Sequence, residues 1–275
     1  MTAFENYSDS PENIGIHPGA GVGLRYQVVL LLDCSTSMTS ATVPREGESV
    51  PSVGTKFTAM CDGLSKWVPK LREDPRLEHA LDLAVITFGP GGVQVHRTRG
   101  DLTEPATAAE AFSSVGLFGL PVLGTGGVTP MVEAIRTALE VVRIRKTQLI
   151  DKGLQYYRPM IWMLSDGEPT DDRGQPLGMP GVADIAKTLR DQESRGMYLF
   201  FAVDVGGADQ AVLEALGGAN GAVAFEGTDW LKLFMAISNS MHHIGSQKDI
   251  SELKRQMVPR SLDQLITYLT DNQPL

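Results

Sequence analysis

At 275 residues the chain can form one large domain with a substantial buried core. Its 42% hydrophobic and 21% charged residues are ordinary for a globular protein, and a net charge of −9 argues against nonspecific binding to nucleic acid or an anionic membrane surface. No apolar run approaches the roughly 20 residues that span a bilayer. Residues 1–6 lack the charged-then-apolar order of a signal peptide, and the two cysteines, Cys34 and Cys61, do not form a disulfide framework. These features lead us to expect a cytoplasmic protein.

Residues 1–23 are polar and end in a glycine-containing stretch, Gly19-Ala20-Gly21-Val22-Gly23. A dinucleotide fingerprint must follow a strand and open a helix, whereas these glycines precede the first strong strand. They read as a flexible lead-in. Residues 28–32 are then apolar at every position, which predicts a strand buried on both faces, as in a parallel sheet. That strand ends in Asp33-Cys34-Ser35-Thr36-Ser37. Ligands of such folds sit outside the carboxyl ends of strands. One carboxylate and two hydroxyls at alternate positions offer hard oxygens, a donor set suited to Mg²⁺ or Mn²⁺ and lacking the thiol or imidazole of zinc sites.

Residues 38–55 contain Pro44, Pro51, Glu46 and Glu48 and form a loop, either a solvated insertion or one that contacts a partner or covers the strand-end site. Helical spacing of Phe57, Met60, Leu64, Trp67, Val68 and Leu71 predicts a helix over 56–71, with Pro69 ending it. A strand over 81–88 turns at Gly89-Pro90-Gly91-Gly92 into a short strand carrying Val93 and Val95. A short helix is expected over 107–114 and a loop over 116–127. Thr129-Pro130 suits a helix start, with Thr129 as the cap and Pro130 in the first turn. That helix continues to about Lys146, and Arg143, Arg145 and Lys146 complement its dipole.

Residues 160–164 form the next buried strand, followed by Ser165-Asp166-Gly167-Glu168-Pro169-Thr170-Asp171-Asp172. Glu168, Asp171 and Asp172 either raise the attraction of the site's rim for a cation or are simply exposed loop acids. A helix over 182–195 and a strand over 197–205 follow, with Asp204 ending the strand and either facing solvent or capping a backbone turn. A helix over 211–216, a strand over 222–225 and a helix over 230–244 complete the alternation. The pattern predicts one open, doubly wound α/β domain over 24–245. In the extension 246–275, Leu262, Leu265, Ile266 and Leu269 follow Pro259 at helical spacing. This amphipathic helix either packs on the domain or docks a partner or another copy.

The D-x-S-x-S string after a buried strand, Gly126-Gly127-Val128-Thr129-Pro130 before a helix, and Trp162-Met163-Leu164-Ser165-Asp166-Gly167 closing a strand occur in that order. This arrangement resembles the metal-ion-dependent adhesion site of von Willebrand factor A domains. The resemblance covers 24–244 and implies a Rossmann-like, mostly parallel sheet with one short antiparallel edge strand. It also implies that Asp33, Ser35, Ser37, Thr129 and Asp166 hold a divalent ion directly or through water. Thr129 thus has two readings, helix cap and metal ligand, which are compatible.

Within the family the chain is most similar to the bacterial intracellular, tellurite-resistance-associated branch called TerY-like. The matching strings are Leu32-Asp33-Cys34-Ser35-Thr36-Ser37-Met38, Val85-Ile86-Thr87-Phe88 and the run from Leu164 to Asp172. Thr36 departs from the glycine usual between the two serines. The resemblance implies a non-enzymatic module in a stress-response or phosphorylation-linked assembly, whose bound Mg²⁺ or Mn²⁺ takes an Asp or Glu carboxylate from a protein partner. Two alternatives stand beside it. A haloacid-dehalogenase-type phosphatase would need a second Asp at position 35, where this chain has Ser35. The other is a structural domain with an empty site.

Overall fold

The computed structural model describes residues 24–41, 54–218, 222–225 and 229–246. The expected lead-in (1–23), most of the 38–55 loop and nearly all of the C-terminal extension lie outside the described residues.

Strand β1, Tyr26–Asp33, is buried at every position after Tyr26. It pairs in parallel with β2, Leu81–Gly89, on one side and with β5, Met160–Ser165, on the other. Strand β3, Gly92–Val95, returns antiparallel along the outer edge of β2, through the expected Gly-Pro-Gly-Gly turn. A two-residue strand β4, Ser113–Ser114, also pairs antiparallel with β2. On the far side β6, Leu199–Asp204, and β7, Ala222–Ala224, extend the sheet in parallel. Among the described residues the sheet has seven strands, in the order β3-β2-β1-β5-β6-β7, with β4 on β2.

Alternate residues of β1 face two cores, as a strand buried on both faces must. Val28, Leu30 and Leu32 meet helices α1, Lys56–Glu73, and α6, Trp230–Ser246, in a layer centred on Trp67, Trp162 and Phe234. Val29 and Leu31 meet α3, Met131–Asp151, and α4, Gly178–Ser194, with α5, Gln210–Gly217, completing that face. The doubly wound, mostly parallel α/β expectation therefore holds.

Several local expectations do not. Helix α1 runs through Pro69 to Glu73, because buried Trp67, Val68 and Leu71 anchor its last turn to the core. A separate helix α2, Pro75–Ala80, follows, capped by the Asp74 carboxylate accepting from the Arg76 and Leu77 amides. The helix expected over 107–114 is a single 3₁₀ turn at Ala108–Glu110 ahead of β4, so there are two antiparallel neighbours of β2 rather than one. Helix α3 extends past Lys146 to Asp151, leaving no basic residue in its last turn. Arg145 instead reaches across to buried Asp82 at 2.6 Å, and Arg143 pairs with Glu140. Arg25 also ion-pairs with Asp82, so this carboxylate at the amino end of β2 lies between two guanidiniums.

Candidate functional site

Strands β1 and β5 are neighbours, yet the chain leaves β1 towards β2 and returns to β5 only after crossing α3. Their carboxyl ends thus flank a point where successive connections diverge, which is where α/β sheets form a crevice. Asp33 closes β1 and Ser165-Asp166 closes β5, so residues remote in sequence meet there.

Both oxygens of buried Asp33 accept hydrogen bonds from neutral donors: Oδ1 from the Ser35 amide at 2.8 Å and Oδ2 from the Ser165 hydroxyl at 2.6 Å. Burial pushes the carboxyl up to about 6, against the pull of the Ser165 and Ser35 hydrogen bonds; the nearby Asp166 charge adds to the rise. Ser35 Oγ and Ser37 Oγ lie 2.9 Å apart, and the Ser37 hydroxyl donates to Asp166 Oδ1 at 2.6 Å. Asp166 Oδ2 accepts from Lys56 Nζ at 2.8 Å, and the same ammonium donates to the Gly206 carbonyl.

Thr129 reaches this cluster from a third segment. The helix cap is Pro130, which makes no side-chain capping bond, so Thr129 precedes the cap rather than serving as it. Its backbone is tied to the loop after β5: the Thr129 amide donates to Thr170 Oγ1 at 2.9 Å, and the Thr170 amide to the Thr129 carbonyl at 3.0 Å. A Cβ built on Gly167 would lie 3.2 Å from Ser37 Oγ and 3.3 Å from both Asp33 Oδ2 and Thr129 Oγ1. Three oxygens from two segments, the end of β1 and the segment before α3, therefore converge on one small space that a glycine of the loop after β5 leaves open.

The loops are clamped by backbone contacts. Thr36 donates from both its amide (3.2 Å) and hydroxyl (3.0 Å) to the Gly127 carbonyl, joining the strand-end motif to the segment carrying Thr129. Gly89 and Gly127 have φ of 150° and 74°, and a Cβ on either would come within 2.8 Å of neighbouring backbone.

The five residues singled out in the sequence are thus gathered, although Ser37 is exposed while Asp33, Ser35, Thr129 and Asp166 are buried. Glu168 and Asp172 are exposed, and the Asp171 carboxylate caps its own turn through the Arg173 and Gln175 amides. Asp204 likewise accepts from the Gly206 amide at 2.8 Å. Ser165, Thr170, Gly167 and Lys56 are additions that motif reading missed. A signal for Ser165 was its adjacency to Asp166; for Lys56, it was a cation in a helix's first turn, where the dipole favours an acid.

Two carboxylates and three hydroxyls form a donor set for a hard, oxygen-seeking cation. Among the described residues there is no group of three or more His, Cys, Asp or Glu that could hold a metal ion. Cys34 and Cys61 are both free thiols, and no helix among the described residues is long and apolar enough to cross a membrane.

No family model matches the chain, and no curated protein matches it in sequence. Among solved structures, it is similar to the PilB minor pilin from Streptococcus sanguinis, with a TM-score of 0.50 and 12% identity over 82% of this chain and 63% of that one. A single-substitution variant of the same pilin gives 0.48 and 12%, over 88% and 64%. The pilus adhesin SpaC from Lactobacillus rhamnosus GG gives 0.43 and 13%, over 91% and 30%. The chain spans under two thirds of the length of each of these proteins. The likeness to the PilB minor pilin is one of fold.

Proposed function

We propose that this domain is a divalent-cation-dependent protein-binding module of the von Willebrand factor A type. Asp33, Ser35, Ser37, Thr129 and Asp166 would hold Mg²⁺ or Mn²⁺, directly or through water. The observation that carries the reading is the convergence of Asp33 Oδ2, Ser37 Oγ and Thr129 Oγ1 around the space beside Gly167. A divalent ion bound there supplies an electrophilic centre for the Asp or Glu carboxylate of a protein partner. Burying that carboxylate at an interface would be costly without a cation to meet it. The protein's share of the work is to present oxygens from three clamped loops.

A binding role is favoured over catalysis by the residue two positions after Asp33: Ser35 stands where a phosphatase of haloacid-dehalogenase type needs an acid. The two free thiols support a cytoplasmic setting. The placement in a bacterial stress-response assembly of the TerY-like branch rests on the strings from Leu32 to Met38 and from Leu164 to Asp172.

The test is calorimetric titration of metal-stripped protein with Mg²⁺ and Mn²⁺, beside Asp33→Ala, with thermal unfolding as a second readout. Binding by the wild type that vanishes in a folded variant supports the site. Equal behaviour of the two proteins in both measurements would remove it.

A further inference from the structure

Lys56 is out of place by local rules. It is the first residue of α1, where the helix dipole already supplies partial positive charge, and that first turn carries no acid. Yet its side chain is only 15% exposed and is held by two acceptors, Asp166 Oδ2 and the Gly206 carbonyl. Gly206 and Gly207, with φ of 96° and 112°, make the backbone turn that lies against the ammonium and brings the Gly206 carbonyl to it. Three segments are thus arranged around one half-buried cation, namely the start of α1, the loop after β5 and the loop after β6.

The charge balance gives this cation a role. Asp33 and Asp166 are the acids of the cluster, and Lys56 offsets one of them. With all three ionised the site carries a single negative charge, and a divalent ion converts it to a single positive charge. Without Lys56 the loaded site would be neutral. Asp166 also divides its oxygens, one towards Ser37 and the cradle and the other towards Lys56. The cation therefore draws charge from the group that a metal would use.

Resting on the cation-site reading above, we propose that Lys56 is a built-in counter-cation that sets ligand specificity. It weakens metal binding and leaves the loaded site one positive charge in excess, so that the site takes up an external monoanion of the carboxylate class. Lys56 acts through Asp166 as a positioning residue, not as a metal ligand.

The experiment compares wild type with Lys56→Gln, which can still donate to the Gly206 carbonyl, and with Lys56→Arg, which keeps the charge. Mn²⁺ affinity is measured by titration calorimetry. Acetate is the probe carboxylate, read through the change in water proton relaxation as it displaces water from bound Mn²⁺. Lys56→Gln is expected to bind Mn²⁺ roughly tenfold tighter or more, since a charge close to a divalent ion is removed at low dielectric. Its loaded form should bind acetate several-fold more weakly, and Lys56→Arg should lie near wild type on both axes. In EDTA the Lys56→Gln protein should melt lower than wild type, and Mn²⁺ should raise its melting temperature by more. Loss of packing alone would weaken both ligands together, so opposite movement of the two affinities identifies the charge effect. If Lys56→Gln does not fold, Lys56→Met is measured in the same way. Wild type that binds Mn²⁺ beside a folded, charge-deleted variant of equal or weaker Mn²⁺ affinity overturns this inference and leaves the cation site standing. Wild type that binds no Mn²⁺ overturns both.

Discussion

Ser165 and Asp33 terminate adjacent parallel strands, and the Ser165 hydroxyl donates to Asp33 Oδ2 across the gap at 2.6 Å. The same hydroxyl accepts from the Gly167 amide at 3.2 Å, so one side chain orients the carboxylate and fixes the start of the glycine turn beside it. These bonds only partly compensate for burial. The Asp33 carboxyl remains raised from 3.8 to about 6.

That shift has a definite sign for stability. The folded, metal-free protein holds the Asp33 proton more tightly than the unfolded chain does. Its contribution is therefore greatest below the unfolded value of 3.8 and is lost as pH rises through about 6. The difference across this window is roughly 3 kcal/mol. Urea unfolding in EDTA at about pH 4.5 and about pH 7.5, compared with Asp33→Asn, isolates it from other titrations. Wild type should lose stability relative to the variant as pH rises. Parallel pH profiles would show that burial does not govern this carboxyl.

Gly167→Ala should separate ligand binding from folding. Gly167 has no positive φ, so alanine suits its backbone, but the new methyl would fill the space shared by Asp33, Ser37 and Thr129. We expect an overpacking cost of about 1 kcal/mol. Mn²⁺ affinity should fall at least about tenfold, the lower end of what disturbing a metal's surroundings costs. Calorimetry and urea unfolding on the same sample check both values, and undiminished Mn²⁺ binding would mean that the cradle is not where the ion sits.

Asp82→Ala should do the reverse. Asp82 is fully buried between Arg25 and Arg145 at the opposite end of the strands from Asp33. Removing it leaves two poorly solvated guanidiniums unpaired, a loss of about 3–5 kcal/mol. Urea unfolding should register that loss while Mn²⁺ affinity of the folded fraction stays unchanged. A loss under about 1 kcal/mol would mean that the arginines find water instead.

The carboxyl ends of β1 and β5, and with them the places of Asp33 and Asp166, are legible in the sequence. Strands buried on both faces are apolar throughout, so the first polar residue after each marks its end. That Ser35, Ser37 and Thr129 meet them is implied by the family resemblance and not by any local pattern. What escapes such reading is set by contacts between distant segments. Pro69 would end an isolated helix, but Trp67, Val68 and Leu71 are held by the core. Arg145 looks like a dipole partner until α3 is seen to run a turn further and lay it against Asp82. Thr129 looks like a helix cap because Thr-Pro suits one, yet the cap falls on Pro130. Lys56 stands 110 positions from the carboxylate it meets, and no local pattern encodes that pairing.

The placement of β1 also sets how the molecule breathes. Eight of its residues are in register with β2 and five with β5, whereas β7 has three residues paired with β6. Amide protons of β1 can reach solvent only when the whole sheet comes apart, while those of β7 are released by fraying. In deuterium exchange the anchor of the site should thus be among the last segments to label, well after β7. The carboxylate is carried on the strand whose opening costs most, so fraying at the far edge of the sheet leaves the foundation of the site in place.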